Sequence, residues 1–444
     1  MYPADRVPPQ NVEAEQAVLG SMLLDSETVF TVSEVLHPDD LYESAHRILY
    51  EIILTLSETS SAIDLVTVTE ELRRQDKLEL VGGPAYIASL AASVPSSANA
   101  AYYAHIVAQK ATLRSLITAA GEISAKCYEE TDDVEFILDD AEQKIFSIGQ
   151  RRTREGFAPI QEVLTETFEA IELLSQHKGE VTGVPTFTDL DKLLSGLQKN
   201  DLIICAARPG MGKTSFCLNI AQSAAVKQKK SVAIFSLEMS KEQVVQRMLS
   251  AQAMINQQNL RTGFLKDDDW PRLTNAMGVL SETSIFIDDT PAVTAMQVRS
   301  KARRLKAEKG LDLVIIDYLQ LMAGHRRTDN RQQEIAMISR ALKSLARELK
   351  TPVLALSQLN RGVEQRQDKR PVMADLLESG AIEADADVVL FLYRDEYYNK
   401  DTSSRGIAEV IVGKHRNGPV GTVQLGFFPE FTKFYDVSRE TEPG

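Results

Sequence analysis

Apolar residues recur at helical spacing through the first third of the chain and then change character. Val12, Ala17, Val18 and Met22 mark one helical run within residues 11–56, and His46, Leu49, Tyr50, Ile53 and Leu54 mark another. The pattern predicts further helices over Thr67–Asp76, from the Gly82-Gly83-Pro84 punctuation through Leu90, over Ala98–Tyr128 and over Val134–Ile148. Residues 1–150 thus read as an all-α domain. His37, His46 and His105 lie far apart in it, without ligand spacing, and ordinary core or surface histidines are expected. Residues 151–180 read as a linker, charged at QRRTREG. A narrow apolar stripe at Ile160, Val163, Leu164, Phe168, Ile171 and Leu174 predicts a helix over Pro159–His177, which lies on its own core or docks on a neighbouring subunit.

From Val184 onward short apolar runs alternate with helical stretches, the pattern of a doubly wound α/β sheet over residues 181–444. Strands are predicted at Leu202–Ala207, Val232–Leu237, Ser284–Asp288, Leu313–Asp317, Val353–Ser357, Val388–Leu392 and Glu409–Val412. Antiparallel extensions follow at Gly421–Phe428 and Phe431–Tyr435, and the clearest helix is Arg331–Lys350. In such sheets ligands sit at the carboxyl ends of the strands.

Composition adds a charge asymmetry. The net charge of −14 looks wrong for a nucleic-acid binder, but residues 1–150 carry 25 acidic and 9 basic side chains, and the remainder carries 38 and 40. The acidic third should repel DNA and favour protein partners, leaving the second part free to bind nucleic acid. No apolar run is long enough to span a membrane, and the N-terminus lacks a secretory core, so a cytoplasmic address is expected. Cys127, Cys205 and Cys217 form no C-x-x-C pair, which fits a reducing compartment.

The candidate chemistry centres on Asp201–Ser215, DLIICAARPGMGKTS, where a strand runs through a glycine turn into a helix. Ala207, Arg208, Pro209, Gly210, Met211, Gly212, Lys213, Thr214 and Ser215 make a candidate phosphate-binding loop. Gly210 and Gly212 let backbone N–H groups turn inward, Lys213 reaches the terminal phosphates, and the Thr214 hydroxyl suits magnesium. The pattern's first position, usually glycine, is Ala207 here. If the strands ending near Glu238 and Asp317 both neighbour the loop's strand, the two carboxylates face one nucleoside triphosphate. Asp317 would then hold magnesium and Glu238 act as general base, although Glu238 also reads as an ordinary acid at a helix start. Gln358 follows the strand PVLALS, where it either senses the γ-phosphate or is a plain polar loop residue. The loop beyond it, with Arg361, Arg366, Lys369 and Arg370, is a candidate nucleic-acid-tracking loop, as is Gly324–Arg331 with Arg326, Arg327 and Arg331. Lys414 and Arg416, at a strand end before a Gly-Pro turn, read as a trans-acting arginine finger or as charges that protect a sheet edge.

Taken together, PPQNVEAEQAVLGSMLLD, LVGGPAYIASLAASVPSSANAAYYAHIV, ARPGMGKTSF, FSLEMS, VIIDYLQLM, SQLNRGVEQRQDKRPVMADL, ESGAIEADADVVLFLYRDEYY and KHRNGP resemble the bacterial replicative helicases of the DnaB family over essentially the whole chain. The resemblance implies an all-α N-terminal collar joined to a RecA-like P-loop ATPase domain, and a homohexamer that encircles single-stranded DNA and translocates 5′ to 3′. ATP and Mg2+ are the implied cofactors, and primase and a helicase loader the implied partners. The Pro159–His177 helix would dock on the adjacent subunit. It also implies Lys213 and Thr214 as phosphate and magnesium ligands, Asp317 as the second magnesium ligand, Glu238 as base, Gln358 as sensor and Arg247 as a nucleotide contact. Lys414 and Arg416 would be supplied to the neighbour's ATP. Arg361, Arg366, Lys369 and main-chain groups near Glu378 and Gly380 would bind DNA. The family usually has Arg-Glu-Ser-Gly where this chain has Leu377-Glu378-Ser379-Gly380, so one phosphate contact per subunit is missing. The competing readings are a RecA-like strand-exchange protein and an ATP-gated loader.

Overall fold

The structure is a computed structural model that describes residues 7–59, 62–129, 134–151, 181–324, 331–376 and 380–437, with isolated positions between 160 and 175. Two compact units, Met1–Thr165 and Glu166–Gly444, divide the chain. Leu377, Glu378, Arg326, Arg327 and most of the expected 159–177 helix lie outside the described residues; the described stripe residues Ile160, Leu164, Phe168 and Ile171 are exposed.

The first unit is helical. Asn11 opens the Val12–Leu24 helix by accepting the Ala14 N–H at 2.9 Å. Residues 11–56 hold three helices, not two: Thr28–Val35 stands between Val12–Leu24 and Ser44–Glu58. It buries only Val29 and Val32, too short a stripe to show as periodicity. Val18, Leu19, Met22, Leu49, Ile53, Leu72 and Ile87 form the core. At Gly20 a Cβ would stand 2.3 Å from the Leu90 carbonyl, so the Val12–Leu24 and Gly83–Ala92 helices approach nearly backbone to backbone. His46 is buried, with Nδ1 2.7 Å from the Glu15 carboxylate and Nε2 2.7 Å from the Tyr86 hydroxyl, a satisfied core histidine as expected.

In the second unit nine strands form one sheet among the described residues: β1 (Leu202–Ala207), β2 (Val232–Ser236), β3 (Ile285–Asp288), β4 (Leu313–Asp317), β5 (Val353–Gln358), β6 (Val388–Tyr393), β7 (Ile407–His415), β8 (Gly421–Phe428) and β9 (Lys433–Asp436). The order is β3-β2-β4-β5-β1-β6-β7-β8-β9, parallel through β6 and antiparallel beyond. β1, β2, β4 and β6 are buried along their whole length, which is why they read as continuous apolar runs. β7 extends beyond the expected Glu409–Val412 at both ends because its alternate residues are only half-buried, and polar side chains mask the pattern. No helix among the described residues is long and apolar enough to cross a membrane.

The strand order corrects one expectation. Neither β2 nor β4 neighbours β1, since β5 is inserted between β1 and β4. The carboxylates at their ends reach the phosphate loop across β5, and the polar end of β5 therefore becomes part of the site.

Candidate nucleotide site

β1 delivers the chain into the loop at Ala207, which pairs in register with Gln358 of β5. Ala207 is an ordinary strand residue. Left-handed backbone is needed only at Gly210 (φ 82°) and Gly212 (φ 96°), so alanine at the first position costs the turn nothing. Gly210 also lies under the Tyr397 ring, which a Cβ would approach to 2.8 Å. Pro209 and Gly210 are exposed, whereas the Met211 and Ser215 side chains are buried, leaving these two only their main chain to offer a ligand. The Lys213–Gln228 helix begins directly after the turn, placing its positive end at the loop.

The Lys213 ammonium donates to the Ser357 carbonyl at 2.9 Å and stands 5.7 Å from the centre of the Tyr318 ring. Burial pushes its pKa below the ordinary lysine value; Cys205, Asp317 and Glu238 oppose that shift. Asp317, at the end of β4, is buried, and it lines one small pocket together with Thr214. Burial raises the Asp317 pKa, Glu238 adds to the rise, and Thr214, Lys213 and Arg247 counter it. Oδ2 of Asp317 is buried without a hydrogen-bond partner among the described residues. A free carboxylate oxygen beside a threonine hydroxyl fits a magnesium ion completed by phosphate and water oxygens.

Glu238 lies just beyond β2 and is exposed. Ser236 of β2 lies opposite Asp317 of β4 and the Leu237 N–H donates to the Asp317 carbonyl at 2.7 Å, so Glu238 follows at the same end of the sheet, where its charge acts on Lys213, Asp317, Tyr318 and Arg247. Arg247, on the Lys241–Ala253 helix, has its pKa lowered by burial against the pull of Asp317 and Glu238, and its Nε has no hydrogen-bond partner among the described residues. Gln358 is held from below: its N–H donates to Gln320 Oε1 at 3.3 Å, while Gln320 Nε2 donates to the Ser357 hydroxyl at 2.9 Å. Gln320 and Tyr318 were not singled out in the sequence, although both lie in the DYLQLM segment next to Asp317. Arg394 was missed as well; it donates to the Gly210 carbonyl at 3.2 Å and stands 4.4 Å from the centre of the Phe427 ring.

The basic loop beyond Gln358 is more internally paired than its composition suggests. Arg366 bridges to Asp375 at 2.6 Å, and Arg370 makes two bonds to Glu409, at 2.8 and 2.6 Å. Lys369 lies 4.6 Å from the centre of the Tyr398 ring, and Arg361 is exposed. In the second candidate loop, Arg331 is turned inward to Glu334 and the Gln320 carbonyl. Gly380 is exposed at the start of the short Gly380–Asp385 helix.

Lys414 and Arg416 stand elsewhere. β7 runs antiparallel to β6 with His415 opposite Val388, and a bulge at Gly413 resets the alternation just before Lys414. Lys414 donates to the Glu383 carbonyl and Arg416 to the Ala384 carbonyl, at the negative end of the Gly380–Asp385 helix. Arg416 also faces Asp387 at 3.4 Å. Asp387 accepts from Leu202 N–H at the start of β1 and its carbonyl accepts from Arg416 N–H, so Arg416 lies at the opposite end of the strands from its own phosphate loop, roughly 15–20 Å away at strand rise, with Lys414 two residues earlier, level through Val389 with Ile204. Asp201, beside them, has its pKa raised to about 6 by burial and by Asp387, against Lys343, His415 and Arg416.

Known proteins share both units. Residues 7–109 match the DnaB-like helicase N terminal domain and residues 183–436 the DnaB-like helicase C terminal domain. The chain is 55% identical over 437 residues to the replicative DNA helicase DnaC of Bacillus subtilis, covering 98% of this chain and 96% of that protein. To the replicative DNA helicase DnaB of Geobacillus stearothermophilus it is 52% identical, with the same coverage. A solved DnaB-like replicative helicase, described together with its interactions with primase, superposes with a TM-score of 0.77 at 37% identity, covering 96% of this chain and all of that one.

Proposed function

The chain belongs to the DnaB family of replicative DNA helicases, which are ATP-dependent, and from that premise we propose that it works as a homohexameric ring whose ATP sites are each completed by the next subunit. The ring encircles single-stranded DNA and moves 5′ to 3′, opening duplex ahead of it. The acidic helical unit serves as a collar that receives primase, a loader places the ring on DNA, and the compartment is the cytoplasm. In domain terms the collar is residues 1–150, the linker 151–180 and the motor 181–444.

One observation carries this reading: the phosphate loop and Arg416 occupy opposite ends of the same strands. A cation so placed cannot serve its own nucleotide, but in a ring it can face the next subunit's. Lys213 and the loop N–H groups bind the β- and γ-phosphates of ATP, and Thr214 and Asp317 hold Mg2+, which neutralises charge on the phosphates. Glu238 takes the proton of the attacking water. Gln358 contacts the γ-phosphate, Arg247 the nucleotide, and Arg416 with Lys414 stabilises the charge developing on the neighbour's γ-phosphoryl group. Arg361, Lys369 and main-chain groups near Gly380 and Glu378 hold DNA phosphates; Arg366 contributes by bracing the loop through Asp375.

Mixing two inactive variants tests the shared site. Arg416→Ala alone should bind ATP and lose hydrolysis on the order of 10³-fold or more, and Lys213→Ala should lose it too. In a reassembled mixture, an Arg416→Ala subunit keeps an intact loop and its Lys213→Ala neighbour an intact finger, so ATP turnover should reappear. A mixture as inactive as its components, with rings formed, would refute the trans assignment. Displacement of an annealed oligonucleotide from a 5′-tailed but not a 3′-tailed substrate tests the direction.

A further inference from the structure

Arg208 is the one charged side chain of the ARPGMG turn, and it is turned toward the segment that follows β5. It is buried, and its guanidinium reaches across to the chain that follows β5. Nη1 donates to the Leu359 carbonyl at 2.9 Å, while Nε and Nη2 donate to the two carboxylate oxygens of Glu364 at 3.0 and 3.3 Å. The Leu359 N–H closes the arrangement by donating to the Ala207 carbonyl at 3.3 Å. A two-pronged guanidinium–carboxylate contact fixes distance and orientation together, which a single hydrogen bond does not.

Glu364 lies in the Arg361–Gln365 turn, the near half of the basic segment. Val363 is fully buried beside it, so the turn has a fixed root while Arg361 and Lys369 remain at its rim. A second contact runs in parallel. Lys369 sits over the Tyr398 ring, Tyr398 packs edge-on against Tyr397 with centroids 5.2 Å apart, and Tyr397 covers Gly210 of the phosphate loop. The turn that closes on phosphate and the segment that presents cations to solvent are thus joined side chain to side chain. Of these contacts only Arg208–Glu364 is charged on both sides.

We propose that the Arg208–Glu364 pair is the positioning contact through which the phosphate loop sets the placement of the Arg361–Arg370 segment, so that nucleotide and single-stranded DNA alter each other's affinity. The inference rests on reading that segment as a DNA contact. Glu364 itself touches neither nucleotide nor DNA; it acts through Arg208 on one side and through the turn on the other. Coupling of this kind is reciprocal in binding free energy, so it is measurable from either ligand.

The experiment uses the full chain assembled as rings. The dissociation constant of a fluorescent oligo-dT is measured with and without a non-hydrolysable ATP analogue, and that of the analogue with and without oligo-dT. The wild-type chain should show a coupling factor of about tenfold or more from either side. Glu364→Gln keeps an acceptor but removes the charge, and should reduce the factor severalfold; Glu364→Lys should abolish it. In both variants the affinity for the analogue without DNA should stay within about twofold, and the melting temperature should hold. Coupling that survives Glu364→Lys unchanged overturns the proposal while leaving the DNA reading intact. Loss of analogue affinity in parallel with loss of coupling also overturns it, because Glu364 would then only support the loop. If Arg361→Ala and Lys369→Ala bind oligo-dT as tightly as the wild-type chain does, the DNA reading fails and the proposal falls with it.

Discussion

Asp201 shows what a single buried carboxylate does to pH dependence. Its pKa near 6 lies above the ordinary aspartate value of about 3.9, so between those values the folded chain keeps a proton that the unfolded chain has lost. Stability from this group is therefore fully present below about pH 4 and declines as pH rises through 6. Asp201→Asn, which resembles the protonated form, should stabilise the second unit by up to about 2–3 kcal/mol at pH 8 relative to its effect at pH 4. Calorimetric melting at both values measures this, and an equal shift at both would refute it. The loop residues were legible without coordinates because the chemistry of a phosphate loop is local: Gly210, Gly212, Lys213 and Thr214 sit within five positions. Glu364 was not legible as Arg208's partner, since 156 residues separate them and a glutamate in a basic loop carries no signal of its own. For the same reason the sequence overstated the free charge of that loop, as the acids that pair Arg366 and Arg370 come from Asp375 and Glu409.

Among the elements, Gly20 marks a close approach between two helices. The Val12–Leu24 and Gly83–Ala92 helices meet with no room for a methyl group, because a Cβ at Gly20 would also lie 2.8 Å from Val94 Cγ2. Neither neighbour is the free end of a flexible side chain, so the helices must separate. Gly20→Ala should destabilise the helical unit by about 1–3 kcal/mol or more, in spite of alanine's better helix propensity. Circular dichroism melting reads this directly, and a stabilised variant would contradict the packing. The sequence presented Gly20 as one small residue in a helical run. Strand existence was equally readable and strand order was not: apolar runs identify β1, β4 and β5, but insertion of β5 between the other two depends on contacts that no local pattern encodes. That insertion brings Gln320, Ser357 and Gln358 into a hydrogen-bonded set between the loop and Asp317.

At the scale of the whole molecule, the sequence separates an acidic helical unit from a near-neutral motor, and the structure separates two groups of candidate site residues along the sheet. Lys213, Thr214, Asp317 and Glu238 gather at the carboxyl ends of the strands; Lys414 and Arg416 are retained toward the amino ends by Asp387 and the last carbonyls of the Gly380–Asp385 helix. If the site is shared as proposed, an isolated chain should bind ATP without hydrolysing it. Dilution is then its off switch: below the concentration at which rings come apart, turnover per chain should fall steeply with each further dilution, while affinity for ATP persists. Such a motor would idle wherever its own neighbours have not yet gathered.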